Sequence, residues 1–204
     1  EVQLYVQDMH GVWERLRDSM TVTVTPESAI GVLSFEFDGI PPSLLWEYIT
    51  RPEYRAILMN STSQSVERNS DGAIGPGSVY HCAHGSNVVY HTVLEWRPFN
   101  RYTTHETTPM PNTTAKTTYQ LEPEGNGTRL KLLFGKVDGP FGFRHLVTFI
   151  GKNKAPQGLA DGAAGLKQII ERDLRHGRVS LTEQTELEPA DIQAAVRVSL
   201  ASFE

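Results

Sequence analysis

The sequence predicts an α+β fold with a seven-stranded antiparallel sheet, two short helices after the first strand and one long helix near the C-terminus. Between Asn60 and Val137, runs of β-branched and aromatic residues alternate with short clusters of turn-forming residues. The connections between those strands are short, whereas a parallel crossover needs about a dozen residues, so neighbouring strands must pair antiparallel. Beyond Gly139 the apolar residues recur every three or four positions, which indicates a helix.

Length and composition narrow the class of protein. The chain has 204 residues, of which 39% are hydrophobic and 21% charged, as expected for one globular domain with extensions. No apolar run approaches the roughly 20 residues of a membrane-spanning helix, so we expect a soluble protein. The net charge is −5 and the basic residues are scattered, which argues against nucleic acid as a partner. Cys82 is the single cysteine, consistent with a reducing compartment, and we expect a cytoplasmic location.

The ends of the chain are expected to lie outside the domain. We assign residues 1–25 to an N-terminal helix and linker, residues 26–177 to the domain, and residues 178–204 to a polar linker and an amphipathic helix. That last helix would dock on the domain or on a partner, such as a second copy in a homodimer, and both alternatives stay open. Because the sequence starts at Glu1 without a methionine, we expect it to be cut from a longer polypeptide with a domain upstream.

The individual strands follow from the turn residues that separate them. We expect a first strand at about 30–38 and short helices beginning near Pro41 and at Pro52. The remaining strands are expected at about 61–69, 77–84, 88–97, 101–108, 113–122 and 128–137. In the last two strands, alternation predicts that Tyr119 and Leu132 point inward while Lys116 and Lys131 point to solvent.

The long closing helix contains an unusual number of glycines. Gly158, Gly162 and Gly165 each cost about 1 kcal/mol relative to alanine in a helix. Two explanations stay open: close approach of the helix to the sheet, or space for a ligand beneath it. Before this helix we expect a broken stretch in which Pro156 either forms part of a mobile lid or kinks the helix.

Several local motifs are shared with one superfamily. They are Trp46 followed by Arg51-Pro52, then Gly75-Pro76-Gly77-Ser78, Glu95-Trp96-Arg97-Pro98, and Leu121-Glu122-Pro123 before Gly127-Thr128. With the order of elements over residues 30–176, they resemble the START-like (SRPBCC) helix-grip superfamily. Its members include polyketide cyclases, lipid-transfer domains, birch-pollen-allergen relatives and Hsp90-ATPase-activator homologues. The resemblance implies a curved sheet wrapped round the long helix, with a cavity for a small hydrophobic molecule between them.

A narrower resemblance concerns what precedes the domain. The motif His81-Cys82-Ala83-His84-Gly85 and the N-terminal helix look like a bacterial family in which this domain follows a class III nucleotide-cyclase-like domain. Regulation of such an attached domain by ligand binding is one hypothesis for this chain. Cyclase chemistry would belong to that upstream part, and nothing in these residues supports it.

The candidate ligand-binding residues combine a few polar groups with an apolar lining. A pocket of this kind needs only a few well-placed polar side chains. Glu106 could face inward or outward, because one β-bulge would reverse its side of the sheet. The candidates are Tyr90, Tyr102, Glu106, Thr117, Tyr119, Leu132, Gly162 and Leu166.

Conventional catalytic signatures do not occur. Imidazole and thiolate suit zinc, but strand alternation places His81 opposite Cys82 and His84, so we expect no metal site. Catalysis by Cys82 would need a nearby base such as His84 or His91, whereas a lone strand cysteine is more often a small buried hydrophobe. No cofactor motif is found. We therefore favour a non-enzymatic binding module, with a cofactor-independent polyketide cyclase or dehydratase and a protein-interaction domain as alternatives.

Overall fold

A computed structural model of the protein describes residues 22–70 and 72–179, and in it the seven predicted strands form one antiparallel sheet. The predicted N-terminal and C-terminal helices lie outside the described residues. The strands are β1 (Gly31–Phe37), β2 (Ser63–Glu67), β3 (Val79–His84), β4 (Asn87–Arg97), β5 (Arg101–Thr107), β6 (Thr114–Glu124) and β7 (Gly127–Phe134). The helices are α1 (Pro42–Thr50), α2 (Pro52–Leu58) and α3 (Phe141–Arg175).

The order of strands across the sheet is β1-β7-β6-β5-β4-β3-β2. Strands β2 to β7 form the predicted meander, and β1 pairs with β7, the last strand. Helices α1 and α2 therefore carry the chain from one edge of the sheet to the other. Prolines begin both helices, where the missing N–H has no helical partner to lose. Together with α3 this is the helix-grip α+β architecture that the sequence predicts.

The register of the sheet confirms the predicted inward face. Tyr102 pairs with Tyr119, which pairs in turn with Leu132, and all three side chains are fully buried. Lys131 pairs with Gln120 on the opposite face and forms an ion pair with Glu122. The core between sheet and helices is closed by the buried stripe of α3, which consists of Leu159, Ala163, Leu166 and Ile170.

One irregularity changes which residues of β4 face the core. The pairing of β4 with β5 shifts between Val93 and Glu95, which marks a β-bulge. Before the bulge, His91 is 2% exposed; after it, Trp96 packs against the core, although five positions separate the two residues. In a regular strand an odd separation would put them on opposite faces. The bulge therefore brings both to the inward face.

Helix α3 is continuous, so the expected break before it is wrong. The helix runs from Phe141 to Arg175 with Pro156 inside it. Proline removes one backbone donor, and the carbonyl that loses its partner belongs to Lys152. Because Lys152 is exposed, water can hydrate that carbonyl, and the helix continues. No helix among residues 22–70 and 72–179 combines the length and apolarity needed to cross a membrane.

The glycine-rich part of α3 is a close contact between two helices. A Cβ atom built on Gly162 would lie 2.3 Å from the carbonyl oxygen of Leu58 and 2.6 Å from that of Ile57. Close approach is therefore what the structure shows at Gly162, although the neighbour is helix α2 and not the sheet. The space beneath this glycine is filled by backbone.

Replacement of Gly162 by alanine should destabilise the protein. The new methyl group would clash with two backbone carbonyls, which cannot move aside as a flexible side chain can, and we expect a loss of about 2–4 kcal/mol. Gly151→Ala is the matched control, because a Cβ there meets nothing within 4 Å and should stabilise the helix by up to about 1 kcal/mol. Urea unfolding measures both. Equal stability of the two variants would contradict the close contact.

Candidate functional site

A buried arginine lies at the centre of the space between the sheet and the helices. Arg55 belongs to α2, three positions before Leu58, and therefore shares the inward face of that helix. Its side chain is 0% exposed, as is that of Leu58. Guanidinium stays protonated under all physiological conditions, so this is a permanent positive charge without access to water.

Three tyrosines surround the guanidinium of Arg55. Its Nε donates to the hydroxyl of Tyr102 at 3.4 Å, and its Nη2 donates to the hydroxyl of Tyr119 at 3.2 Å. The guanidinium carbon also lies 4.6 Å from the ring centre of Tyr80, within the range of a cation–π interaction. Tyr102 and Tyr119 stack in parallel with ring centres 4.4 Å apart. The positive charge is thus held by phenols and aromatic faces.

Two of these tyrosines also fix the position of helix α1. The hydroxyl of Tyr80 donates to the carbonyl of Thr50 at 2.7 Å, and that of Tyr102 donates to the carbonyl of Ile49 at 3.2 Å. Carbonyls in the last turn of a helix lack helical partners, so the phenols satisfy them. Burial disfavours the phenolate and raises the pKa of Tyr102 to about 12. Both phenols therefore remain neutral donors.

A histidine and a glutamate form an ion pair beside Arg55. Nδ1 of His91 lies 3.0 Å from Oε1 of Glu106, directly across the β4–β5 pairing, and Thr104 donates to the same carboxylate at 2.7 Å. Burial alone would raise the pKa of Glu106, but the charge and hydrogen bond of His91 outweigh it and lower that pKa to about 2. Burial would lower the pKa of His91, but the carboxylate outweighs it and raises that pKa.

Cys82 completes the cluster from strand β3. Its Sγ accepts from Nη1 of Arg55 at 3.3 Å and from the side-chain amide of Gln64. Burial disfavours the thiolate, yet the neighbouring His91 and the charge of Arg55 together lower the pKa of Cys82. Within residues 22–70 and 72–179, no group of three or more His, Cys, Asp or Glu side chains is arranged to hold a metal ion.

The interior cluster, defined here as Arg55, Gln64, Tyr80, Cys82, His91, Tyr102, Glu106 and Tyr119, has unused hydrogen-bonding capacity. Nε2 of His91 and Oε1 of Gln64 are buried and have no hydrogen-bond partner in the described part of the chain. Arg55 brings a permanent positive charge, Glu106 brings one negative charge, and that carboxylate favours the protonated form of His91. The cluster therefore offers a buried N–H donor and a surplus of positive charge to an acceptor or anionic group.

The predicted site residues fall into three groups in the structure. Tyr102, Glu106 and Tyr119 belong to the interior cluster, so Glu106 faces inward. Three others pack nearby in the core, namely Thr117, Leu132 and Leu166, and Gly162 contacts helix α2. Tyr90 is different: it pairs with His81 on the outer face of the sheet and is 44% exposed, so the structure does not bring it to the others.

An open cleft adjoins the interior cluster. It has a volume of about 700 Å³ and lies where helices α1 and α2 meet. Its lining comprises Trp46, Glu47, Thr50, Arg51, Pro52, Glu53, Tyr54, Arg68, Ile74 and Trp96. Tyr80 connects the two regions, since its hydroxyl bonds to Thr50 on the cleft side while its ring contacts Arg55.

The fold and this interior define a helix-grip domain of the START-like class. The family model for polyketide cyclase/dehydrase and lipid transport matches residues 14–176, which is well over half of the chain. The protein belongs to that family. No curated protein matches the chain.

Solved structures of the same fold come from several bacteria. Protein Ms6760 from Mycobacterium smegmatis is 12% identical with a TM-score of 0.53, over 75% of this chain and 98% of its own. Protein MLL2253 from Mesorhizobium loti is 17% identical with a TM-score of 0.51, over 70% and 98%. Protein NE0264 from Nitrosomonas europaea is 17% identical with a TM-score of 0.51, over 72% and 99%. At these identities the likeness shows the fold alone.

The ion pair inside the sheet should make stability depend on pH. The pKa of Glu106 is about 2 in the folded protein and about 4.3 in an unfolded chain, so its contribution is present above the unfolded value and is lost as the pH falls towards 2. We expect Glu106→Gln to reduce stability at pH 7 by up to roughly 3 kcal/mol, and the difference to shrink between about pH 5 and pH 2.

Urea unfolding at several pH values tests this expectation. Glu67→Gln is the matched control, since Glu67 also pairs with a histidine, His81, at 3.1 Å, but its side chain is 69% exposed. An exposed pair of this kind contributes less than about 1 kcal/mol. A loss at Glu106 that stayed constant with pH would show that packing, and not charge, is responsible.

Proposed function

We propose that the domain binds a small, mainly apolar molecule that carries a carboxylate or another oxygen acceptor, and that Arg55 receives this group. The observation that supports the proposal is the composition of the interior cluster. Its guanidinium contacts phenols, a thiol and an imidazole, while the one carboxylate nearby bonds to His91. A ligand oxygen would supply the acceptor that Nε2 of His91 lacks.

The apolar part of the ligand is proposed to lie in the open cleft. Trp46 and Trp96 line it with their ring centres 4.8 Å apart, and Tyr54 adds a third aromatic side chain. Aromatic walls with a few polar groups are typical of small-molecule sites. The acceptor group would reach Arg55 by displacing Tyr80, which separates the cleft from the guanidinium. Regulation of an attached domain by this binding is part of the proposal.

Native mass spectrometry of the purified chain, followed by denaturing extraction, is the first test of ligand binding. Titration with matched pairs then tests the role of Arg55: an aliphatic or aromatic acid and the alcohol of the same carbon skeleton. Binding is followed by the tryptophan fluorescence of the chain, which a ligand beside Trp46 and Trp96 should change. We expect the acid to bind more tightly, and Arg55→Met to weaken acid binding by roughly 10- to 100-fold while leaving alcohol binding nearly unchanged.

Two further variants distinguish the interior from the surface. Arg51 lines the cleft with a side chain that is 60% exposed, so Arg51→Met should leave the preference for acids in place. If Arg51→Met removed that preference and Arg55→Met kept it, the acid would bind at the rim and the proposal would be wrong. Should Arg55→Met fail to fold, Tyr119→Phe removes one partner of Arg55 without creating a buried charge.

A second candidate function is proton transfer on a bound carbonyl compound, in the manner of a cofactor-independent cyclase or dehydratase. It is supported by His91, whose Nδ1 is oriented by Glu106 while Nε2 is free to exchange a proton. In the neutral form of His91 the proton lies on Nδ1, towards Glu106, and Nε2 can accept a proton as a general base must.

Deuterium exchange distinguishes this candidate from simple binding. An aryl ketone is incubated with the protein in deuterated water, and loss of its α-hydrogen signal is followed by NMR. An enzyme should accelerate the exchange, and His91→Gln should abolish the acceleration, since glutamine cannot accept the proton. Binding of the ketone without accelerated exchange would rule out proton abstraction and leave the binding module.

A further inference from the structure

The N-terminal half of helix α3 exposes large apolar side chains to solvent. Phe141 is 71% exposed and Phe149 is 67% exposed, while Phe143, Leu146 and Ile150 are each 41–42% exposed. Single exposed apolar residues are ordinary on protein surfaces, but five within ten consecutive residues of one helix form a patch. We call these five residues the apolar patch.

Most of the apolar patch is not a continuation of the core stripe of α3. Counting back from Leu159 in steps of 3.6 residues gives positions near Ala155, Lys152, Thr148 and, two turns earlier, Phe141, so Phe141 alone follows the stripe. Phe143, Leu146 and Ile150 follow one another at intervals of three and four, which places them together on another side of the helix. If the helix moved towards the sheet, Phe143, Leu146 and Ile150 would therefore remain exposed to solvent.

Between Asp138 and Asp161, the charge on the segment that contains the apolar patch has one sign. Residues 140–160 contain Arg144, Lys152 and Lys154 but no aspartate or glutamate, in a chain whose net charge is −5. None of the three cations forms an ion pair within the described part of the chain, and Arg144 lies over the ring of Phe141 at 5.1 Å. Phenylalanine and leucine next to unpaired basic residues are characteristic of helices that lie in a membrane interface.

We propose that the N-terminal half of α3 docks on the surface of an anionic lipid membrane. The apolar patch would enter the region between headgroups and acyl chains, and the positive charges of Arg144, Lys152 and Lys154 would be attracted to the anionic headgroups. A second copy of the chain fits less well, because a twofold contact would bring the same cations against each other. This docking requires no ligand in the interior, so it is tested independently of the proposed function.

Vesicle flotation of the full chain tests the docking. Wild-type protein is mixed with phosphatidylcholine vesicles or with vesicles containing about one-third phosphatidylglycerol, in about 0.1 M and about 0.5 M salt. We expect binding to the anionic vesicles at low salt, and its loss at high salt. Leu146→Glu/Phe149→Glu should reduce the partition coefficient by about tenfold or more. Lys152→Gln/Lys154→Gln should reduce it by about fivefold per lysine.

The control variants change exposed residues elsewhere. Val88→Glu replaces an apolar residue that is 50% exposed on β4, and Arg51→Gln/Arg97→Gln removes two exposed arginines. Both should bind vesicles as the wild type does. The proposal is overturned if the wild type does not float with anionic vesicles, or if Leu146→Glu/Phe149→Glu floats equally well. It is also overturned if light scattering shows a dimer that only this variant dissociates, since a second copy would then cover the patch.

Discussion

The burial of one guanidinium determines much of the interior of this domain. A charge removed from water is strongly destabilising unless hydrogen bonds and opposite charges compensate for it. Here the hydrogen-bond partners come from three strands, namely Cys82 from β3, Tyr102 from β5 and Tyr119 from β6, and Glu106 of β5 supplies an opposite charge. Because each contributes from a fixed position on the sheet, the location of Arg55 depends on the register of every one of those pairings.

The same phenols join the sheet to the helices. Tyr80 and Tyr102 bond to carbonyls at the end of α1 while contacting Arg55 from α2, so the junction of the two helices is held from below by strand residues. A site built in this way is polar at its centre and apolar around it. Backbone fills the space beneath Gly162 of α3, whereas the α1–α2 junction has an open cleft.

Sequence patterns predicted the elements well and the site only in part. Alternation in β6 and β7 was sufficient to place Tyr119 and Leu132 inward, because a strand with one buried face must turn its alternating apolar residues to that face. The same reasoning could not assign His91, since its side of the sheet relative to Trp96 depends on the bulge between Val93 and Glu95. Glu106, four residues after Tyr102 in a regularly paired strand, shares the inward face of Tyr102. No residue at the bulge predicts it. Tyr90 was predicted to be a polar residue of the pocket, and it lies instead on the outer face of the sheet.

Arg55 itself was missed for a physical reason. Arginine is rarely buried. The charge of Arg55 therefore argued for an exposed side chain more strongly than its spacing from Leu58 argued for a buried one. The useful signal was its spacing: Arg55 lies three and four residues before Leu58 and Met59, on the apolar side of α2. A second indication of a buried arginine was the composition of the interior, which has three tyrosines and few carboxylates.

The backbone contact at Gly162 divides helix α3 into two mechanically different parts. The C-terminal part contacts α2, the helix that carries Arg55, at backbone atoms. Unlike a side chain, these atoms cannot move aside by changing rotamer. The part before Pro156 has no such attachment. Forces acting on that free part would be absorbed before they reach the guanidinium, so the coupling free energy between the outer helix and the buried site is expected to be small. The domain would then sense its surroundings and its ligand as separate events.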